Sequence, residues 1–199
     1  MAFIKTIPVN EAEGVLLEIY QQDIKSKGYV ANHTSAFSLH PEVYQAWLGL
    51  IAAIRSKMRL RRFELVTLAA AQALKCTYCM LAHGAVLRKS VFSAAELESI
   101  ARDFRNAGLS AEEVSLMEFA QKVTLEPGQV TSEDVDSLRK HGLSDGEVLD
   151  VVFTVTARNF MSKTLDALGV EPDEALTALE PELRESLVIG RPFLAGAGR

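Results

Sequence analysis

Residues 62–83 read RFELVTLAAAQALKCTYCMLAH, and the rest of the 199-residue chain is best understood from this stretch. It contains both cysteines, Cys76 and Cys79, and one of the four histidines, His83. Glu64 precedes the first cysteine by twelve residues. The run of Leu, Val and Ala between them leaves little polar surface, which predicts a central, buried helix.

The composition favours an all-α fold. Ala, Leu, Glu, Arg and Lys are abundant, and the alternation of apolar and polar residues that is typical of strands is nearly absent. The length suffices for one well-buried domain. We expect a single domain over residues 1–199 with about eight helices, a core over residues 30–172, and peripheral segments at 1–10 and 190–199.

Helix boundaries follow from local signals. A helix is predicted from Glu11 to Lys27, an irregular segment from Tyr29 to His40, and a new helix at Pro41. Four later helices begin with a Ser or Thr that is followed three residues later by an acidic residue. These pairs are Ser93 and Glu96, Ser110 and Glu113, Thr131 and Asp134, and Ser144 and Glu147. The last of these helices is long and ends at Gly169.

A faint internal repeat appears at an offset of 83 residues. Glu64 falls on Glu147, Cys79 falls on Ser162, and the apolar spacing is kept. This pattern predicts a possible internal duplication of helical hairpins, of which one carries the chemistry and the other serves as scaffold. Ser162 itself is interpreted as a packing or interface residue, and so is Asn159.

Charge and hydropathy exclude several classes of partner. The net charge of −5 argues against a nucleic-acid-binding surface, which needs a basic patch. The first residues lack the pattern of a signal peptide, and no apolar run approaches the ~20 residues that span a bilayer. We therefore expect a cytoplasmic protein without a membrane partner. In that compartment a C-x-x-C motif is more often catalytic or metal-binding than structural.

The cysteines and the histidine form one cluster if the motif is helical. At ~100° per residue, Cys76, Cys79 and His83 fall within an arc of roughly 60°. A helix start near Cys76 would favour a thiolate there, because of the unpaired N–H groups and the helix dipole. Two thiols and an acid/base are the minimum for dithiol redox chemistry.

Glu64 can join this cluster only if the chain reverses. In one straight helix it would lie about 18 Å from Cys76 along the axis. A turn near residues 73–75 would place Glu64 opposite His83, where it could orient the imidazole. No Gly or Pro marks such a turn, so a glutamate that merely stabilises a helix start remains a second interpretation.

The motif resembles the signature of the AhpD-like peroxidases in the carboxymuconolactone decarboxylase superfamily. Glu64, Cys76-Thr77-Tyr78-Cys79 and His83 match it at fixed spacing. The likeness extends over roughly residues 30–172 and is strongest to the "peroxidase-related" members. The other matching features are Asn32, His40-Pro41-Glu42, the Leu-Ser-x-x-Glu of residues 143–147, and the Asp-Ala-Leu-Gly-Val of residues 166–170.

The resemblance implies an all-α AhpD-like multihelical fold, assembly into homotrimers or hexamers, and peroxide reduction without a haem, metal or other cofactor. It implies that Cys79 attacks a small hydroperoxide, Cys76 resolves the sulfenic acid as a disulfide, and His83 with Glu64 relays the proton. A dithiol electron donor would then be the other partner. Well-studied members carry a His where this chain has Tyr78, which we interpret as a wall of the substrate pocket.

Other interpretations of the motif stay open at the level of sequence. The disulfide could act as a switch in a non-enzymatic redox-sensing or binding module. Cys76, Cys79 and His83 could be three zinc ligands, although a structural zinc site needs a fourth. The cysteines could also be two small buried residues. His33 is interpreted as a loop residue.

Overall fold

The computed structural model describes residues 2–193, in which it contains ten α-helices and no β-strand. The predicted all-α fold is therefore confirmed. The helices are α1 (Gly14–Lys27), α2 (Asn32–Ser35), α3 (Pro41–Arg55), α4 (Leu60–Ala73), α5 (Thr77–Ser90), α6 (Ala94–Asp103), α7 (Ala111–Leu125), α8 (Ser132–Lys140), α9 (Asp145–Ala167) and α10 (Pro181–Leu187).

The capping signals mark real helix starts. At Ser93, Ser110 and Ser144 the side chain accepts the N–H of the glutamate three residues later, and that glutamate accepts the N–H of the serine. At Thr131 the N–H donates to Asp134 Oδ2 at 2.7 Å. Such a cap stabilises a helix by about 1 kcal/mol, so these four helices begin where the sequence predicts.

Helix α4 is the centre of the molecule. Every residue from Phe63 to Ala71 is buried, and the helix packs against α5, α7 and α9. The small side chains of Ala69, Ala70 and Ala71 let these neighbours approach closely. Because α4 is enclosed on several sides, Glu64 in its second turn is buried as well.

The chain reverses between α4 and α5, as the involvement of Glu64 requires. Lys75 adopts the left-handed conformation, with φ of 56°. Its N–H donates to the carbonyl of Gln72, and the N–H of Cys76 donates to the carbonyl of Ala71, each at 3.0 Å. This is the hydrogen-bond pattern of a Schellman motif, whose left-handed position is usually glycine. The sequence hides the turn because a lysine occupies that position.

The predicted duplication of hairpins is wrong. The segment that aligns with the α4–α5 hairpin forms the single helix α9, which is continuous over 23 residues. Arg158 corresponds to Lys75 in that alignment, yet it lies inside the helix. Because the backbone ladder of α9 is not interrupted there, no second hairpin forms.

The segment from Tyr29 to His40 is more regular than predicted. It contains the four-residue helix α2, and its turn is closed by backbone hydrogen bonds such as Ala36 N–H to Asn32 O at 3.0 Å. Asp173 Oδ1 accepts the N–H of Asn32 at 2.7 Å. The segment is therefore ordered by a carboxylate that is remote in sequence.

Both ends of the described chain pack on the helices. The N–H of Phe3 donates to Leu168 O at 2.7 Å. At the other end α10 packs on α5 and α6, and the N–H of Gly190 donates to Thr77 Oγ1 at 3.0 Å. Residues 194–199, which belong to the predicted peripheral segment, lie outside the described residues, as does Met1. Among the described helices, none combines the length and the apolar character needed to cross a membrane.

Candidate active site

The two cysteines lie at the start of α5, directly after the turn. Cys76 is the N-cap residue and Cys79 belongs to the first turn of the helix. Both are free thiols and both are buried. The Cys76 thiol donates to the carbonyl oxygen of Ser162 at 3.9 Å, and it also interacts with the Cys79 sulfur. The pair is therefore positioned to form a disulfide.

Their surroundings make the two thiols different. A hydrogen bond from Cys76 lowers the pKa of Cys79 and outweighs the opposing effect of burial. The pKa is lowered further by Ser162, whose Oγ lies 3.2 Å from Cys79 Sγ, and by the charge of Arg158. The same hydrogen bond, together with burial, raises the pKa of Cys76 well above its ordinary range.

The thiolate is thus favoured on Cys79. The helix-dipole argument from the sequence favoured Cys76 instead. That argument did not consider the side chains of α9, which contact the motif at Cys79. It also left out the interaction between the two thiols. A cysteine with a lowered pKa beside a second, protonated thiol is the arrangement that nucleophilic thiol chemistry needs.

His83 is held between a carboxylate and a guanidinium. Its Nδ1 lies 2.7 Å from Glu64 Oε2, and its Nε2 lies 3.1 Å from Arg158 Nη1. Since the carboxylate can only accept and the guanidinium can only donate, these partners assign the proton to Nδ1. The structure therefore brings Glu64 and His83 together, from opposite arms of the hairpin.

The pKa shifts of His83 and Glu64 favour the protonation states that a general base needs. Burial lowers the pKa of His83, and the charge of Arg158 lowers it further, against the opposing effect of Glu64. The imidazole is accordingly neutral at pH 7. Burial acts to raise the pKa of Glu64, but the hydrogen bond from His83 and nearby positive charges outweigh it, so the pKa is lowered.

No hydrogen bond within residues 2–193 joins Cys79 directly to His83. Ser162 is the polar side chain on the sulfur, and Arg158 occupies the free nitrogen of the imidazole. Two side chains of α9, Arg158 and Ser162, therefore join the predicted cluster of Cys76, Cys79 and His83. In the same range, no three or more His, Cys, Asp or Glu side chains are grouped as potential ligands of a metal ion.

Arg158 and Ser162 are the site residues that sequence reasoning missed. Arg158 is only 7% exposed, and its guanidinium lies over the rings of Trp47 and Phe63, at 5.2 and 5.3 Å from their centroids. A signal was present in the sequence. On the buried stripe of α9, which includes Val151, Val155 and Leu165, positions 158 and 162 are polar, as is Thr154.

Tyr78 has a different environment from the one predicted. Its hydroxyl donates to Asp173 Oδ2 at 2.6 Å and lies 2.8 Å from His33 Nδ1. Burial raises the pKa of Tyr78 well above its ordinary value, and the charge of Asp173 adds to this effect. Tyr78 thus ties α5 to α2 and to the segment after α9, and His33 is a bonded, partly buried side chain rather than a free loop residue.

A cavity of about 270 Å³ adjoins the site. Arg158 and His33 belong both to the site and to the lining of the cavity. Tyr78 is not among the residues that line this cavity. Asp23 lies on its polar side, where Lys27 Nζ at 2.8 Å and the Ala31 N–H at 3.0 Å neutralise and bond the carboxylate. The polar side also includes Gln22, Ser26 and Lys27, and the apolar and aromatic wall is formed by Ile19, Tyr44, Trp47, Leu48 and Ile51.

The fold and the site define an all-α protein with a dithiol centre. Residues 41–122 match the model of the carboxymuconolactone decarboxylase family. That segment includes Glu64, both cysteines of the C-x-x-C motif and His83. No protein of curated function matches the chain significantly by sequence.

Solved structures with the same fold carry related descriptions. An uncharacterized peroxidase-related protein from Ralstonia eutropha JMP134, described as an alkylhydroperoxidase AhpD core, has a TM-score of 0.81 at 20% identity, over 88% of this chain and 94% of that one. A peroxidase-related protein from Silicibacter sp. TM1040 has a TM-score of 0.75 at 20% identity, over 88% and 91%. The debrominase Bmp8 has a TM-score of 0.67 at 14% identity, over 86% and 89%.

The recognition made from the sequence is confirmed. The family model covers the central segment of the chain, and the structure has the fold of AhpD-like proteins. The chain is thus similar to the carboxymuconolactone decarboxylase family over residues 41–122 and shares its fold with AhpD-like proteins.

Proposed function

We propose that the protein is a thiol-dependent peroxidase that reduces hydroperoxides. The observation that supports this most directly is the placement of two buried free thiols at the start of α5, where Ser162 Oγ lies 3.2 Å from Cys79 Sγ and the same helix carries His83 bonded to Glu64. A nucleophilic thiolate beside a protonated thiol is suited to attack followed by resolution. The peroxidase-related descriptions of two structural neighbours support the same class.

The reaction would proceed in three balanced steps. The Cys79 thiolate attacks the outer oxygen of the hydroperoxide, the O–O bond breaks, and the departing alkoxide takes a proton to leave as an alcohol. The Cys76 thiol then displaces water from the Cys79 sulfenic acid, forming the disulfide. A dithiol donor finally reduces this disulfide by exchange and is itself oxidised.

The proton would be handled by His83 and Glu64. Neutral His83 can accept the thiol proton on Nε2 while Glu64 stabilises the imidazolium through Nδ1–H, and the proton then passes to the alkoxide. Because Arg158 Nη1 is bonded to Nε2, it must yield that nitrogen during the transfer. Arg158 can instead donate to the departing oxygen, where negative charge develops.

Reductive dehalogenation is a second candidate. The observation in its favour is the aromatic wall of the adjoining cavity, formed by Tyr44 and Trp47, which is suited to a planar ring. A structural neighbour is a debrominase that was crystallised with 2,3,4-tribromopyrrole. The same dithiol would convert an aryl bromide to the arene, with release of H⁺ and Br⁻ and formation of the disulfide.

We further propose that the protein works as a homo-oligomer in the cytoplasm, where dithiol donors are kept reduced. Two helices present neighbouring apolar side chains to solvent. Val43 and Leu50 on α3, and Phe160 on α9, border one surface groove and are each more than 40% exposed. An exposed apolar patch of this kind is typical of a subunit interface.

Substitution of each cysteine tests the peroxidase proposal. We expect Cys79→Ser to abolish consumption of cumene hydroperoxide, because the nucleophile is lost. Cys76→Ser should instead retain one reduction per molecule and accumulate a sulfenic acid on Cys79, which dimedone labelling and mass spectrometry detect. In the wild type, one equivalent of peroxide should remove both thiols and yield a Cys76–Cys79 disulfide. Unchanged turnover in Cys79→Ser would refute the proposal.

A switch without turnover would give a different result. Peroxide would still form the disulfide, but no dithiol donor would support repeated cycles. Debromination of 2,3,4-tribromopyrrole, followed as bromide release with a dithiol donor, tests the second candidate in the same three proteins.

A further inference from the structure

Arg158 is a buried cation whose hydrogen-bonding capacity is only partly used. The side chain is 7% exposed. Its Nη1 donates to His83 Nε2, whereas its Nε is buried without any partner. Its Nη2 makes no hydrogen bond within residues 2–193. A buried cation is normally paired or fully hydrogen-bonded, because leaving its donors unsatisfied is costly.

The unused donors lie along one edge of the guanidinium. The Nε–H and Nη2–H bonds are parallel and have the spacing of the two oxygens of a carboxylate, which such an edge binds in a bidentate manner. The acidic side chains nearby are already engaged. Glu64 bonds His83, and Asp23 bonds Lys27 and the Ala31 N–H. Within residues 2–193, no carboxylate is therefore bonded to this edge.

The cavity beside Arg158 has room for a small ligand. Its volume is about 270 Å³, and a cavity of about 150 Å³ is enough to bind benzene. Its lining combines the polar residues Gln22, Asp23, Ser26, Lys27 and His33 with an apolar and aromatic wall, in which Trp47 and Tyr44 are stacked on each other. A ligand that matches both features combines an apolar body with one carboxylate.

We propose that this cavity is a binding site for small apolar carboxylates, in which the free edge of Arg158 holds the two carboxylate oxygens. The body of the ligand lies against Trp47, Tyr44 and Ile51. Because Arg158 also contacts His83, an occupied cavity competes with hydroperoxide for the approach to the dithiol. This competition rests on the proposed peroxidase function, whereas the binding itself does not.

Trp47 gives a direct readout, because it is the single tryptophan of the chain and lies on the cavity wall. We would titrate the wild-type protein with benzoate and with benzamide, its neutral isostere, and follow Trp47 fluorescence. Benzoate should cause a saturable change and bind at least about tenfold more tightly than benzamide, since charged hydrogen bonds are stronger. Equal affinities, or no saturable change with benzoate, would overturn the proposal without any variant being needed.

Arg158→Lys keeps the charge but removes the bidentate edge. Benzoate affinity, measured by calorimetry, should fall at least about tenfold, with benzamide affinity unchanged. Arg102→Lys, at an exposed ion pair on α6, is the matched control and should bind benzoate as the wild type does. Wild-type affinity for benzoate in a folded Arg158→Lys variant would also overturn the proposal.

A kinetic measurement separates this proposal from the peroxidase function. Benzoate should inhibit turnover of cumene hydroperoxide by raising KM while kcat stays constant. Turnover that proceeds in a protein that does not bind benzoate would refute the carboxylate site and leave the peroxidase intact. Binding of benzoate in a protein that reduces no hydroperoxide would support the site and refute the peroxidase.

Discussion

A few side chains on α9 determine how the dithiol behaves. Ser162 lies one turn beyond Arg158, so both point toward α5 from the same face of the helix. Ser162 donates to the sulfur of Cys79, and Arg158 adds a positive charge. Both stabilise the thiolate against the cost of burial, which acts in the opposite direction.

Removing the hydroxyl should weaken this stabilisation. We expect Ser162→Ala to raise the pKa of Cys79, because a donor to the thiolate is lost, and to raise it by less than Cys76→Ala does, since Cys76 is the stronger donor. The pH profile of the iodoacetamide alkylation rate should therefore shift to higher pH. Ser99→Ala, on the exposed face of α6, is the control and should leave the profile unchanged. An unshifted profile for Ser162→Ala would contradict the assigned hydrogen bond.

His33 makes stability depend on pH. Burial holds the pKa of folded His33 at about 4, below the ordinary value of 6.5. As pH falls, the unfolded chain therefore binds the proton first. The stabilisation is complete above pH 6.5 and is lost as pH falls toward 4.

Between pH 7 and pH 4 the wild type should lose about 3 kcal/mol more free energy of unfolding than His33→Asn does. Urea unfolding at several pH values measures this difference. His141→Asn, at an exposed position after α8, is the matched control and should follow the wild type. Parallel pH curves for wild type and His33→Asn would show that His33 titrates normally in the folded state.

At the scale of elements, the decisive feature is the turn between α4 and α5. It brings Glu64 opposite His83, and it places Cys76 at a helix N-cap. The C-terminal segment closes over this turn, because the Gly190 N–H donates to Thr77 Oγ1. Gly190 lies so close that a Cβ atom there would overlap the carbonyl oxygen of Lys75.

Gly190→Ala should therefore lift the C-terminal segment from the turn. Cys76 is fully buried in the native fold, so we expect its reaction with iodoacetamide under native conditions to become several-fold faster. Peptide mass spectrometry distinguishes this from reaction at Cys79. Gly128→Ala is the control, since a Cβ at that position meets open space. An unchanged rate at Cys76 would mean that the segment does not protect the thiol.

At the scale of the whole molecule, the apolar surface of α3 and α9 is the feature that a monomer does not explain. Leu149, Phe153 and Phe160 follow one face of α9 and are 43 to 49% exposed. Leu50 on α3 extends the same surface at the groove that it shares with Phe160. Each such side chain contributes about 1.5–3 kcal/mol when it is buried, so the patch can support a stable association.

Charges placed in this patch should prevent the proposed association. We expect the wild type to sediment as a homo-oligomer, and Leu50→Glu combined with Phe160→Glu to sediment as a monomer with an unchanged helical circular dichroism spectrum. Leu125→Glu, which is 61% exposed at the end of α7, provides the control and should keep the wild-type mass. A wild-type mass for the double variant would exclude this surface as the interface.

Much of the protein follows from local sequence. The helices begin at Pro41, Ser93, Ser110 and Ser144 because a proline or a capping box fixes the backbone within one turn, whatever the rest of the chain does. Apolar spacing alone predicts that α4 is central. The motif of two cysteines and a histidine could likewise be predicted, because their spacing places them on one helix.

Only the tertiary structure decided what acts on that motif. The turn at Lys75 is hidden because a residue other than glycine adopts a left-handed conformation there, held by hydrogen bonds from the surrounding backbone. Arg158 reaches His83 and Ser162 reaches Cys79 from a helix about 80 residues further along the chain, as Asp173 reaches Tyr78. The sequence determined which groups are available. Long-range packing determined which side chains meet each thiol.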